Sequence, residues 1–405
     1  MRTQSVAMTQ PAYAGSRGET ASASQVRFLV LDSWRGVCAL LVALLHFPTS
    51  SAISQSAFVG GAYLFVDFFF VLSGFVIASS YGGRLDEPKK VARFALVRFG
   101  RLYPLHLFML LAFVAFELLR LMLPQLRGAG AAPFTEDNSI GSLVANLLLL
   151  QGTGLEDRLT WNGPSWSIST EFFAYLFFAA VVFVARKRAW AVLACAAVVG
   201  PLVLLRFADT MDVSYDFGLV RCLYGFSIGA LLSWFQHDRL VEARRDAGQG
   251  TDRLIWTLLE LAMIAVIALF VVDFSDNKGG IAAPLLFAVA LYVFAHEGGW
   301  VSSLLRTRPM LTLGALSYSI YMVHIFVQGR MINVAGLVDR KFGLGLVGPL
   351  SLRGDTAIGI GPDAPWTGLA AIALMVAATL VASWFTWRFV EMPALALFRR
   401  LAERI

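Results

Sequence analysis

Apolar residues in this chain gather in long unbroken runs, not in the alternations or narrow stripes of a water-soluble fold. Ten runs are long enough to cross the hydrocarbon of a bilayer as helices, allowing for tilt. They lie near residues 27–47, 58–80, 98–121, 165–185, 189–207, 217–236, 254–273, 281–297, 310–329 and 366–389. The run 140–151 (IGSLVANLLLLQ) is too short to cross and reads as an interfacial or re-entrant helix. Two of the segments between runs are long, 122–164 and 330–365. The second has nine Gly or Pro among residues 342–365, which predicts loop rather than helix. The pattern predicts an all-α fold, a polytopic membrane helix bundle with about ten transmembrane helices. No fixed-period repeat and no appended soluble domain interrupt it. The expected organisation is one membrane domain over 26–392, a disordered cytoplasmic tail over 1–25 and a cytoplasmic C-terminal tail over 393–405.

Composition sharpens this. Of 405 residues, 58% are hydrophobic and only 15% charged, where a soluble protein would be nearer a quarter charged. Residues 1–25 are rich in Ser, Ala, Gln and Thr without an apolar core, so no secretory signal peptide is read there. The three cysteines, Cys38, Cys195 and Cys222, fall in apolar spans and are expected as free thiols. The formal surplus of +6 follows the membrane and is not a nucleic-acid signal. With the N-terminus placed in the cytoplasm, twenty-one Lys and Arg fall on the inner side and nine on the outer, with Arg35, Arg101 and Arg221 inside or at the rims of spans. The asymmetry puts both termini inside.

The chemistry to look for is polar and intramembrane, because such groups are costly in hydrocarbon. In the first span, LVLDSWRGVCALLVALLHF, Arg35 and His46 are eleven residues apart. At about 100° per residue they differ by about 20° from whole turns, so they share a face about 16 Å apart along the axis. The expected topology places His46, Asp67, Glu171 and His324 at similar depth in the outer half, on four different helices. Arg98 and Arg101, at spacing i, i+3, share a face at the inner start of the third long span. Paired guanidinium groups suit a phosphorylated ligand, or simply anchor to lipid phosphate. Arg35 has Asp32 one turn away as a structural partner. Asp67 reads equally as a structural partner or as an orienting group. Ser73-Gly74 reads first as a close helix-packing step and only second as a reactive position. His106, His237 and His296 lie near inner ends and need no function.

Taken in order, these residues resemble the acyltransferase-3 family of integral membrane acyltransferases nearly end to end. Arg35 to His46, within LDSWRG, is similar to the family's Arg-x10-His signature, with Ser33 where Gly is usual. Phe69-Phe70-Val71-Leu72-Ser73-Gly74-Phe75 resembles its FFxxSGF motif, and Arg98-Phe99-Gly100-Arg101 its RxxR motif. The stretch from Pro164 to Glu171 resembles PxWSLxxE, that from Ser317 to His324 resembles SYxxYLxH, and Phe389-Val390-Glu391-Met392-Pro393 resembles the closing Y-x-E-x-P.

The resemblance implies an O-acyltransferase that moves an acyl group, usually acetyl, from cytoplasmic acyl-CoA to a hydroxyl of a carbohydrate at the outer face. Acyl-CoA is then a co-substrate, with no cofactor bound permanently and no metal. The implied partners are membrane lipid, the carbohydrate acceptor and envelope glycan-assembly proteins, with no nucleic acid. The implied sites are His46, Arg35, Glu171, His324 and Asp67 for catalysis, and Arg98, Arg101 and Ser73 for the donor. His46 would take the acceptor's proton or carry the acyl group, since imidazole titrates near 6.5. Glu171 or Asp67 would orient it, Arg35 would stabilise the carbonyl oxygen or help to hold the donor, and His324 would bind the acceptor or assist its deprotonation. The thioester would lie between Arg35 and His46. A transporter or flippase for a small anion or lipid-linked sugar is the alternative, because intramembrane Arg, His and Glu also line transport paths.

Overall fold

Without water to bond to, the backbone of a spanning segment must satisfy its own N–H and C=O groups, so apolar runs become helices. The computed structural model describes residues 28–123, 126, 132–246, 253–352, 354–362 and 365–405, and the expected tail at 1–25 lies outside them. The described helices begin with α1 (Leu29–Leu45), the short α2 (Ala52–Gln55) and α3 (Ala57–Gly60), then α4 (Phe65–Tyr81), α5 (Pro88–Met122) and α6 (Ile140–Leu147). Next come α7 (Trp166–Ala185), α8 (Ala189–Phe207), α9 (Gly218–Asp246), α10 (Arg253–Phe274) and α11 (Ala283–Ala295). The series continues with α12 (Trp300–Leu305), α13 (Arg308–Phe342), strands β1 (Val347–Leu352) and β2 (Asp355–Ile360), α14 (Pro365–Thr386) and α15 (Met392–Ala402).

Among the described residues, eight stretches are long and apolar enough to cross a membrane. Two local features separate this from ten. Gly163–Phe207 forms one such stretch, in which α7 and α8 are joined by a single tight turn at Arg186–Arg188. Helix α1 has 17 residues, about 26 Å of rise against about 30 Å of hydrocarbon. Run 140–151 contains the eight-residue α6, short as expected.

Small residues decide how the helices meet, as is usual where lipid gives no hydrophobic drive. Helix α4 crosses α9 so closely that a Cβ on Gly74 would sit 1.9 Å from the Phe226 carbonyl oxygen, and one on Gly229 1.8 Å from that of Val71. Helix α1 meets α13 the same way, with a Cβ on Gly314 falling 2.3 Å from the Asp32 carbonyl oxygen. A polar clasp holds that pair in register, Gln328 Nε2 donating to the Ala43 carbonyl at 2.7 Å, and Ser33 Oγ ties α1 to the end of α12 through the Leu305 carbonyl at 2.6 Å.

Two segments depart from expectation. Residues 347–352 and 355–360, expected as loop, pair as an antiparallel hairpin in which Val347 pairs with Ile360 and Leu352 with Asp355. Gly and Pro argued correctly against helix but are tolerated in an edge ribbon. The hairpin pairs in turn with the chain just after α1, through Ser50 N to the Ile360 carbonyl at 3.2 Å and Ile360 N to that of Pro48 at 3.1 Å. The end of the chain, expected as a tail, is helix α15. It packs on α5 so tightly that a Cβ on Gly100 would meet Phe398 Cβ at 2.2 Å.

Candidate active site

Five helices, α1, α4, α5, α7 and α13, enclose a cavity of about 160 Å³. On α4 its wall runs from Val66 to Ile77, positions eleven residues apart, or about 16 Å of helix. The two ends differ in chemistry. On the side where α1 begins, the mouth carries Asp32, Arg35, Arg98 and Arg101. The deep end is bounded by Val66, Phe69, Ser167 and Tyr321, and Ser73, Glu171 and Tyr175 stand between.

The three arginines at the mouth are not equivalent. Arg98 stacks over the rings of Tyr81, Phe94 and Tyr175, its Cζ 5.2, 5.6 and 5.7 Å from their centroids. Its Nε is buried with no hydrogen-bond partner. An unpaired buried donor of this kind is costly and is met well by an anionic ligand. Arg101 is already answered by Glu391, which is 2% exposed and also accepts from Ser319 Oγ at 3.0 Å. A π-turn at Trp387–Glu391 delivers that carboxylate inward, a common use of such bulges. Arg35 lies 3.9 Å from Asp32, as expected for a neutralising pair one turn apart.

In the middle of the cavity Ser73 Oγ donates to Glu171 Oε1 at 2.7 Å and lies 2.9 Å from the Tyr175 hydroxyl, which also bonds Glu171. Ser73 therefore faces the cavity while Gly74 makes the helix crossing, the close packing step expected of this dipeptide.

His46 and His324 come together at the far end of α1, outside the cavity lining. Their ring centroids are 5.2 Å apart, with His324 Nε2 3.4 Å from His46 Nδ1. His46 Nδ1 lies 2.8 Å from the Val42 carbonyl, and His324 Nδ1 3.2 Å from that of Ile320. A carbonyl only accepts, so in neutral rings both Nδ1 atoms carry the hydrogen and both Nε2 atoms hold a lone pair. His46 caps α1 and is exposed, whereas His324 is fully buried behind it. Such a lone pair on an accessible imidazole is suited to taking a proton.

The sequence places His46, Asp67, Glu171 and His324 at similar depth, and the structure does not bring the four together. Only the two histidines meet. Glu171 belongs to the cavity, in contact with Ser73 and Tyr175. Asp67 turns away to α9, where Arg221 forks onto both its oxygens through Nε at 3.0 Å and Nη2 at 2.8 Å. Arg221 also bonds the carbonyls of Val213 and Tyr63, and the pair is 1% and 0% exposed. Asp67 is thus held by Arg221 and does not touch His46. The space between Arg35 and His46, where the thioester is expected, is also closed here. Ala39 and Val42, on the same stripe of α1, are 0% and 1% exposed. Phe69 packs against the cluster of Ala39, Leu316 and Ile320, and Tyr321 stands 5.9 Å from both Phe69 and His324 by ring centroids. One aromatic layer therefore separates the cavity from the histidine pair.

Several residues of the site were missed. Tyr175 follows Glu171 by four positions, the spacing of helix neighbours, which could have flagged it. Arg221, in an apolar span, was noted only for its charge. Glu391 was noted only as part of a motif, and nothing local marks it as the partner of Arg101, 290 residues away.

The profile of the acyltransferase domain family matches residues 28–388. The chain belongs to the acyltransferase-3 family. It is a multi-pass membrane acyltransferase, and the cavity and histidine pair both lie within the matched region. Acyltransferase MdmB of Streptomyces mycarofaciens is 28% identical over 310 residues, 70% of each chain. Protein 2 in the picA locus of Rhizobium radiobacter is 35% identical over 161 residues, 36% of this chain and 77% of that protein. No solved structure matches the chain.

Proposed function

We propose that this acyltransferase takes an acyl group, acetyl in the first instance, from cytoplasmic acyl-CoA and places it on a hydroxyl of a cell-envelope carbohydrate. It sits in the plasma (inner) membrane with both termini in the cytoplasm, as the Lys and Arg asymmetry favours. The observation that carries the reading is a cavity with a partly unanswered guanidinium, Arg98, at its mouth and an imidazole pair beyond its far end. Arg98 holds donor phosphate, aided by Arg35, while Glu391 keeps Arg101 extended over the Tyr318 ring. The thin pantetheine arm follows the cavity past Ser73 and Glu171. The aromatic layer at Phe69 and Tyr321 opens during turnover, as gating elements do in many enzymes. His46 Nε2 then takes the proton of the acceptor hydroxyl as that oxygen attacks the thioester carbonyl. The C–S bond breaks, the new ester leaves with the acceptor, and the coenzyme A sulfur takes the proton from His46. His324, buried behind, keeps the His46 ring in place.

The test is membrane vesicles given acyl-labelled CoA, with wild type and His46→Ala at matched levels. Label should enter envelope glycan with the wild type, and transfer should fall by about 10²-fold or more in the variant, as for other general bases. Retained transfer would remove His46 from the mechanism. Label that crosses the membrane without entering any glycan would mean transport instead.

A further inference from the structure

We propose that Phe69, with the aromatic layer closed as in this structure, sets the length of the acyl group that the donor site admits before turnover opens the layer. The inference rests on the cavity being the donor site. At the deep end of the cavity the hydroxyls of Ser167 and Tyr321 lie within hydrogen-bond distance of each other, Val66 and Phe69 present apolar surface, and Phe69 closes it from α4, one turn beyond Ser73. Its ring meets Tyr321 edge-on, with centroids 5.9 Å apart and planes at 66°. Tyr321 is tethered, since its hydroxyl lies 2.9 Å from Ser167 Oγ. Phe69 has no such polar hold and is only half-buried, between fully buried Phe68 and Phe70. Behind the layer Ala39 and Ile320 are both 0% exposed, so nothing there yields space without repacking.

This arrangement sorts the parts of an acyl thioester. The polar atoms around the sulfur and carbonyl find Ser73 and Glu171 one turn nearer the mouth, and the hydrocarbon tail points at Phe69. With about 160 Å³ to hold both the end of the arm and its acyl group, a short tail fits and a long one presses on the ring. Apolar pockets discriminate by size at about tenfold or more per methylene that does not fit. Phe69 is then a ruler, and a smaller side chain at that position lengthens it.

The experiment titrates the full-length protein in detergent with acetyl-CoA, butanoyl-CoA and octanoyl-CoA, reading dissociation constants. Wild type should bind octanoyl-CoA at least about tenfold more weakly than acetyl-CoA. Phe69→Ala should shift that ratio by about tenfold toward octanoyl-CoA, with Phe69→Leu between, and the graded pair guards against a poorly folded alanine variant. Wild-type affinities that do not fall with chain length, or variants that leave the ratio unchanged, overturn the ruler while the donor reading stands. Failure of the wild type to bind any of the three removes both.

Discussion

Asp67 and Arg221 allow the separation of scaffold from chemistry to be tested quantitatively. Replacing Asp67 with Ala removes the acceptor for two charge-assisted hydrogen bonds, at 3.0 and 2.8 Å. The carbonyls of Val213 and Tyr63 remain for Nη1 and Nη2, so Nε loses its partner in a site 1% exposed. Each lost bond to a charged group is worth about 1.5–3 kcal/mol, so the two together give about 3–6 kcal/mol. That agrees with the about 3–5 kcal/mol measured when buried ion pairs elsewhere lose one partner. Removing the other charge as well, as Asp67→Leu with Arg221→Met, should recover most of the loss, because an apolar pair of similar volume carries no desolvated charge. The assay is reversible unfolding in mixed micelles for wild type, each single variant and the double variant, with acyl transfer measured per folded molecule. If Asp67→Ala unfolds like the wild type, the ion pair does not hold α4 to α9. If the double variant folds well but transfers nothing, Asp67 acts in the chemistry and not only in the scaffold.

Arg98→Gln should weaken coenzyme A binding by about tenfold or more, the worth of one charge-assisted contact. Arg101→Gln should weaken it less and should instead strand Glu391, which shows as lower thermal stability. Equal losses of affinity with unchanged stability in the two variants would contradict the division of labour proposed for the pair. Gly74→Val should abolish accumulation of folded protein, because its Cβ would need the space 1.9 Å from the Phe226 carbonyl oxygen. Normal expression of that variant, seen by size-exclusion profile, would mean the α4–α9 crossing is looser than described.

The architecture was largely legible in the sequence because span length and hydropathy are local properties. Every long apolar run became helix, and run 140–151, too short to span, contains the short helix α6. The Arg98/Arg101 pair was also readable, since i, i+3 spacing alone places both on one face. Face-sharing between Arg35 and His46 followed from the helical repeat, but it did not make a chamber. Whether the stripe between them is open depends on what α4 and α13 place against Ala39 and Val42. Likewise similar depth in the membrane did not decide which charges meet. Asp67 could face α1 or α9, and only the rotation of α4, set where Gly74 and Gly229 let the backbones touch, turns it to Arg221. The Arg101–Glu391 pair needs a π-turn and a chain that folds back across 290 residues. By itself the sequence determined which segments cross and which polar groups each carries. Tertiary structure alone decided who faces whom, because helix order, rotation and close approach are collective outcomes of packing that no local window contains.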